Sequence, residues 1–299
     1  MQEFLQQLIN GLAVGGLYAL IALGYTMVYG VLKLINFAHG ELFALGAYLG
    51  LTLLTALGLA GGGPAAVALI LLFAMGLVAL AGYLLERVAY RPLRGSGRLT
   101  AVVSALGASI FFQNAMMLVF GAKARVYPGG ILSGEVFTLL GAQIPATRIL
   151  LLASSLLLML LLYWFIHHTR TGAAVRAVSL DQGAARLMGI DVNRVISLVF
   201  LIGPALGAAA GVMAGLLYGQ IKYDMGVLYG LKAFTAAILG GIGNIPGAMA
   251  GGILLGVIEA LGAAYISIAW KDAIAFCLLI LILIFRPTGL LGERTADKV

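Results

Sequence analysis

Three groups of polar residues interrupt an otherwise apolar chain, and each could do work that lipid contact does not require. Asn36, His39, Gly40 and Glu41 fall together in INFAHGE, between two apolar runs. Asn244 and Gly247 hold a similar place in IGNIPG, and Glu259 lies well inside the apolar run that follows. Ionisable groups within membrane segments are costly, and they mark pathways, relays or paired charges. Glu41 has a second explanation, because a carboxylate in a first helical turn is favoured by the helix dipole. Glu259 has none. It faces a cavity, pairs with a basic residue or stays protonated.

Residues 35–49 and 242–256 also resemble one another. Each has an Asn, a short break, a Gly and then a helix rich in small residues. Paired interrupted segments in the two halves of a transporter point to the translocation path. On that reading Asn36, His39, Gly40, Glu41, Asn244, Gly247 and Glu259 are the candidate path residues. The alternative is that Gly-rich helix starts are ordinary in membranes. Enzymatic templates fail: the chain has no GxxxxGK[ST], HExxH, CxxC or GxSxG. His167 and His168 are adjacent, and neighbours on a helix point about 100° apart, so they suit an interface better than a metal. The single cysteine, Cys277, lies in AFCLLILILIF and reads as packing filler. No catalytic residue, metal site or cofactor is expected on this chain.

The elements that must hold these residues are membrane helices. Of 299 residues, 62% are hydrophobic, 10% are charged and 42 are glycine, with a mean hydropathy of +1.09. Soluble domains carry about 45–50% apolar and about 25% charged residues, so most of this chain must meet lipid. Apolar stretches at 5–31, 41–60, 65–86, 99–120, 149–167, 195–218, 230–243, 247–268 and 271–286 read as spans. The stretch 230–243 is too short to cross comfortably and suits a half-helix or a tilted segment. The expected fold is an all-α polytopic bundle of eight or nine spans with interrupted helices, one membrane-embedded domain over 1–299. The N-terminus lacks the positive region of a cleavable signal.

The net charge of +7 does not point to nucleic acid, since the basic residues sit in short segments between apolar runs. They act instead as orientation signals. Arg87, Arg91, Arg94 and Arg98 mark one loop, and Arg170, Arg176, Arg186 and Arg194 another. Placing both in the cytoplasm puts 121–148 and the N-terminus outside and the C-terminus inside. Lys33, Arg286, Arg294 and Lys298 then join the cytoplasmic set, which holds 12 of the 18 Lys and Arg. On this count the two similar segments point the same way, which does not support an inverted repeat unless one span is miscounted.

Two further patterns concern assembly. Gly203, Gly207, Gly211, Gly215 and Gly219 recur every four residues, making a slowly winding groove for close helix packing. Within the loop 168–194, Asp181 to Ile190 could form a short amphipathic helix. Ala184, Leu187 and Met188 fall on one side, with Arg186 off it and Gly189 as a stop. Such a helix suits docking to a soluble partner; the alternative is a helix lying in the headgroups.

Several stretches together resemble a known family. GLYALIALGYTMVYGVLKLINFAHGELFALGAYL, TGAAVRAVSLDQGAARLMGI, LKAFTAAILGGIGNIPGAMAGGILLGVIEAL and FRPTGLLGE occur in the order found in the Liv-type branched-chain amino acid permeases of ABC importers. The resemblance implies a permease that works with a second, related permease, as a heterodimer, and with two cytoplasmic ATPase subunits that bind ATP. It also implies an extracytoplasmic binding protein that delivers leucine, isoleucine or valine. By the same resemblance Ala184, Ala185, Arg186, Leu187, Met188, Gly189 and Ile190 form the segment that couples to an ATPase. The implied location is the bacterial or archaeal cytoplasmic membrane. Related permeases carry urea or short amides, and a self-contained channel or secondary transporter is the competing class.

Overall fold

The computed structural model describes residues 2–59, 61–128, 136–139 and 142–292; Glu293, Arg294 and Lys298 lie outside the described residues. Eleven helices follow in order among them: α1 (Gln2–Leu32), α2 (His39–Ala56), α3 (Gly63–Leu85), α4 (Arg98–Phe120), α5 (Ala146–His168), α6 (Arg170–Leu180), α7 (Gln182–Leu187), α8 (Val192–Tyr218), α9 (Met225–Gly240), α10 (Ile245–Tyr265) and α11 (Lys271–Phe285). A π-turn (Glu86–Tyr90) and a 3₁₀ turn (Arg91–Leu93) extend α3. Two small antiparallel ribbons join Arg125–Val126 to Gln220–Ile221 and Val136–Leu139 to Ala142–Pro145.

The nine expected apolar stretches all fall on helices. Among the described residues, seven of these helical segments meet the length and hydropathy that a membrane crossing needs. The remaining two are α2, which opens with His39, Gly40 and Glu41, and the shorter α9. Both begin inside the bundle.

Small residues decide which helices lie at the centre. The spans of α1 and α8 are 89% and 72% buried, against 11% for α4 and 6% for the α11 segment. In lipid the water-driven hydrophobic effect is absent between helices, so close backbone approach supplies the packing energy. Gly11, Gly15 and Ala19 of α1 meet Gly256, Ile253 and Gly252 of α10. Gly46 of α2 rests on Ala208 of α8, and Gly203 of α8 faces Gly24 of α1. The outer helices α4, α5 and α11 turn Leu, Ile and Phe side chains outward instead.

Four of the five glycines spaced along α8 lie against neighbouring elements. Gly203 packs on Gly24, Gly207 near His39, Gly211 on the Phe43 carbonyl, and Gly215 on the Tyr127 ring. Gly219 is the exception. It ends α8 in the left-handed conformation at φ 69°, exposed, with its N–H on the Gly215 carbonyl. Its job is to stop the helix, a role glycine fills without the Cβ penalty.

Candidate transport path and docking surface

Two half-helices meet in the middle of the bundle. After α1 ends at Leu32, the chain reverses at Lys33, the one described non-glycine residue at positive φ (55°). It then climbs back until His39 lies beside Ile21, midway along α1, with Nε2 3.2 Å from the Ile21 carbonyl. A carbonyl can only accept, so Nε2 carries the proton. From there α2 runs parallel to the second half of α8. The chain after α8 likewise returns inward, and α9 starts with Gly226 packed on Gly40. From Tyr229 beside Tyr18 to Phe234 beside Tyr25, α9 runs parallel to the second half of α1, towards the opposite end from α2.

This crossing explains Glu41. Its carboxylate lies in the first turn of α2 and against Gly226 in the first turn of α9. Two helix N-termini therefore bring partial positive charge to one buried carboxyl group. Asn36 supports the same turn: Oδ1 accepts from the Ala38 N–H at 3.1 Å and from the Tyr90 hydroxyl at 2.7 Å. Asn36, His39 and Glu41 are 0–1% exposed, so a cargo as large as leucine cannot touch them in this conformation.

Glu259 pairs with a basic residue, and the partner is Lys232. The Lys232 Nζ lies 2.8 Å from Glu259 and 2.5 Å from Asp272 of α11, while the Tyr18 hydroxyl donates to the other Glu259 oxygen at 2.8 Å. Lys232 is itself buried, and Asp272 is half-exposed. A lone lysine in the run GLKAFTAAILG was the available signal, because an intramembrane charge calls for an opposite one.

Asn244 and Gly247 lie elsewhere. Asn244 Oδ1 accepts from the Gly247 N–H at 2.9 Å, an ordinary N-cap for α10, and its Nδ2 donates to the Leu291 carbonyl at 2.9 Å. Gly247 packs on Gly240 across the turn between α9 and α10. The pairing of 35–49 with 242–256 as matched interruptions is thus corrected. The segment that mirrors the α2 start is the one leading into α9.

The arginine-rich end carries three short-range caps in succession. Thr169 accepts from Gly172 N–H at 2.9 Å, Asp181 from Gly183 at 2.7 Å and Ala184 at 3.0 Å, and Asp191 from Arg194 at 3.2 Å. These start α6, α7 and α8. On α7 and in the turn after it, Ala185 is buried while Ala184, Arg186 and Gly189 are exposed, and Ile190 is half-buried. Leu187 is 90% and Met188 82% exposed. Behind α7, the buried Glu86 carboxylate pairs with Arg94 and accepts from Ser197 at 2.9 Å, and Arg94 also donates to Asn193 at 2.7 Å. Burial pulls the Arg94 guanidinium below the ordinary arginine range, and Glu86 opposes that shift. Among the described residues, no three His, Cys, Asp or Glu side chains converge as a metal would need.

The helical arrangement matches two solved structures. It superposes on a chain of PsaBC from Streptococcus pneumoniae in complex with Fab, with TM-score 0.52 at 13% identity, covering 95% of this chain and 92% of that one. A putative metal-chelate type ABC transporter in an inward-facing conformation matches with TM-score 0.50 at 16% identity, over 94% and 87%. Both likenesses extend over nearly the whole chain, so the helical fold is shared. Residues 7–283 match the family model of the branched-chain amino acid transport system permease component, and the chain belongs to that family. It is 48% identical to the high-affinity branched-chain amino acid transport system permease protein BraD of Pseudomonas aeruginosa, over 99% of this chain and 98% of that protein. It is 45% identical to the corresponding LivH of Escherichia coli K12 over the same shares.

Proposed function

We propose that this chain is the membrane permease of an ATP-driven importer for leucine, isoleucine and valine. Family membership over residues 7–283 carries the reading. The chain pairs with a second, related permease, receives cargo from an extracytoplasmic binding protein, and takes its work from two ATPase subunits. The arginine-rich end faces the cytoplasm, as the positive-inside rule requires. There α7 offers Leu187 and Met188, two large apolar side chains standing in the open beside Arg186, as the anchors of an ATPase contact.

The path lies against the half-helix crossing. Asn36, His39, Gly40 and Glu41 hold that crossing from behind, since they are sealed within the subunit. Glu259 belongs to the ion-paired group that sets the position of α9 and α11, and Asn244 with Gly247 fixes the α9–α10 turn. Reconstitution tests the assignment: proteoliposomes containing this chain, its partner permease and the ATPases should take up leucine only with ATP and binding protein. Uptake by this chain alone, without ATP, would overturn it.

A further inference from the structure

We propose that Gln182 carries the movement of α7 into the membrane interior, an inference that rests on reading α7 as the ATPase-docking helix. Gln182 is the first residue of α7, and its Nε2 donates to the Val31 carbonyl at 2.7 Å. Val31 is in the last turn of α1, where helix carbonyls have no partner within the helix. Two residues further on, the chain reverses at Lys33 and re-enters the bundle towards Asn36 and His39. One hydrogen bond therefore joins the exposed helix to the final turn before the interior crossing.

The far side of the re-entering segment is held separately. Tyr90 donates to Asn36, and the turn that carries Tyr90 begins at Glu86, which is fixed by Arg94 and Ser197. Between these two attachments the chain is not packed solid. Leu32, Lys33 and Leu34 border a cavity of about 190 Å³ shared with Tyr90, Leu93, Arg94, Ser96 and Ala101. A segment tied at one end to a movable helix, anchored at the other, and bordered by open space is a lever. Gln182 is where α7 grips it, and it acts by positioning α1's end, without touching cargo.

The test uses the assembled importer in proteoliposomes and reads leucine uptake per ATP hydrolysed, a ratio that loss of folded protein does not change. Gln182→Met keeps the length of the side chain and removes the donor; Gln182→Lys restores a donor. Gln182→Met should retain its ATPases and hydrolyse ATP, while uptake per ATP falls about fivefold, the scale of one hydrogen bond. Gln182→Lys should recover most of that loss. Unchanged uptake per ATP in Gln182→Met, equal loss in both variants, or detachment of the ATPases from Gln182→Met would overturn the proposal. Failure of the docking reading shows elsewhere, as full ATPase recovery with Leu187→Asp and Met188→Asp combined.

Discussion

The starts of α2 and α10 each place an asparagine ahead of a glycine-rich helix, and the two asparagines live in different worlds. Asn36 is sealed inside the bundle, holding a re-entrant turn through Ala38 and Tyr90. Asn244 is half-buried at a turn between two helices, where it caps α10 and tethers Leu291. The difference lies in the neighbours. Ahead of α2 stands Lys33 in the left-handed region, which turns the chain back inward, and after it come His39 and Glu41, which need interior partners. Ahead of α10 stand Gly241 and Gly243 at positive φ, and Gly240 packs directly on Gly247, so the chain makes a tight hairpin without re-entering. The α2 interruption sets a helix start inside the bundle, and the buried side chains of His39 and Glu41 accompany it there.

If that contrast is right, substitutions around the interior crossing should cost more than substitutions at the α9–α10 turn. The largest effect is expected from Lys232→Met, which leaves Glu259 buried without its cation. Breaking a buried pair from one side costs about 3–5 kcal/mol. Thermal unfolding in detergent should show a large loss, partly recovered when Glu259→Gln is added; equal melting of wild type and Lys232→Met would count against the ion-paired core. Gly211→Leu comes next, because its side chain meets the Phe43 carbonyl and the Ala47 amide. Overpacking costs about 1–3 kcal/mol or more, so the yield of assembled complex should drop, and wild-type yield would contradict the close approach of α2 and α8.

The two asparagines provide the finest comparison. Asn36→Leu strands a buried Tyr90 hydroxyl and the Ala38 amide, at about 1–3 kcal/mol, and uptake by the assembled complex should fall with it. Asn244→Leu removes a helix cap worth about 0.5–2 kcal/mol and should leave uptake per assembled complex near normal. Equal loss of uptake in both variants would erase the distinction drawn between the two segments.

Much of this architecture was readable before any coordinates. Apolar runs marked the helices because lipid permits no other continuous surface, and the four-residue glycine period marked the face of α8 that packs. Gly189 marked the end of α7 as a helix stop. Depth was the missing quantity. A break in an apolar run shows that the chain is interrupted, but His39 beside Ile21 is a tertiary fact that no local pattern contains. For the same reason IGNIPG looked like INFAHGE, and Gly219 looked like a fifth member of the groove. Glu259 announced that it needed an explanation, whereas its ties to Lys232 and Tyr18, with Asp272 on the same lysine, join four different helices.

A chain with no GxxxxGK[ST] motif must take ATP-driven work from a partner through a surface of its own. Leu187 and Met188 are the apolar side chains that α7 leaves uncovered, and removing such anchors from an interface can cost about 2 kcal/mol or more, roughly thirtyfold in affinity. The most direct measurement is recovery of the ATPase subunits on purified membrane complexes carrying Leu187→Asp together with Met188→Asp, read beside leucine uptake. The variant chain should insert normally, lose its ATPases and cease uptake. Undiminished ATPase recovery with normal uptake would contradict the assignment of α7 as the docking helix.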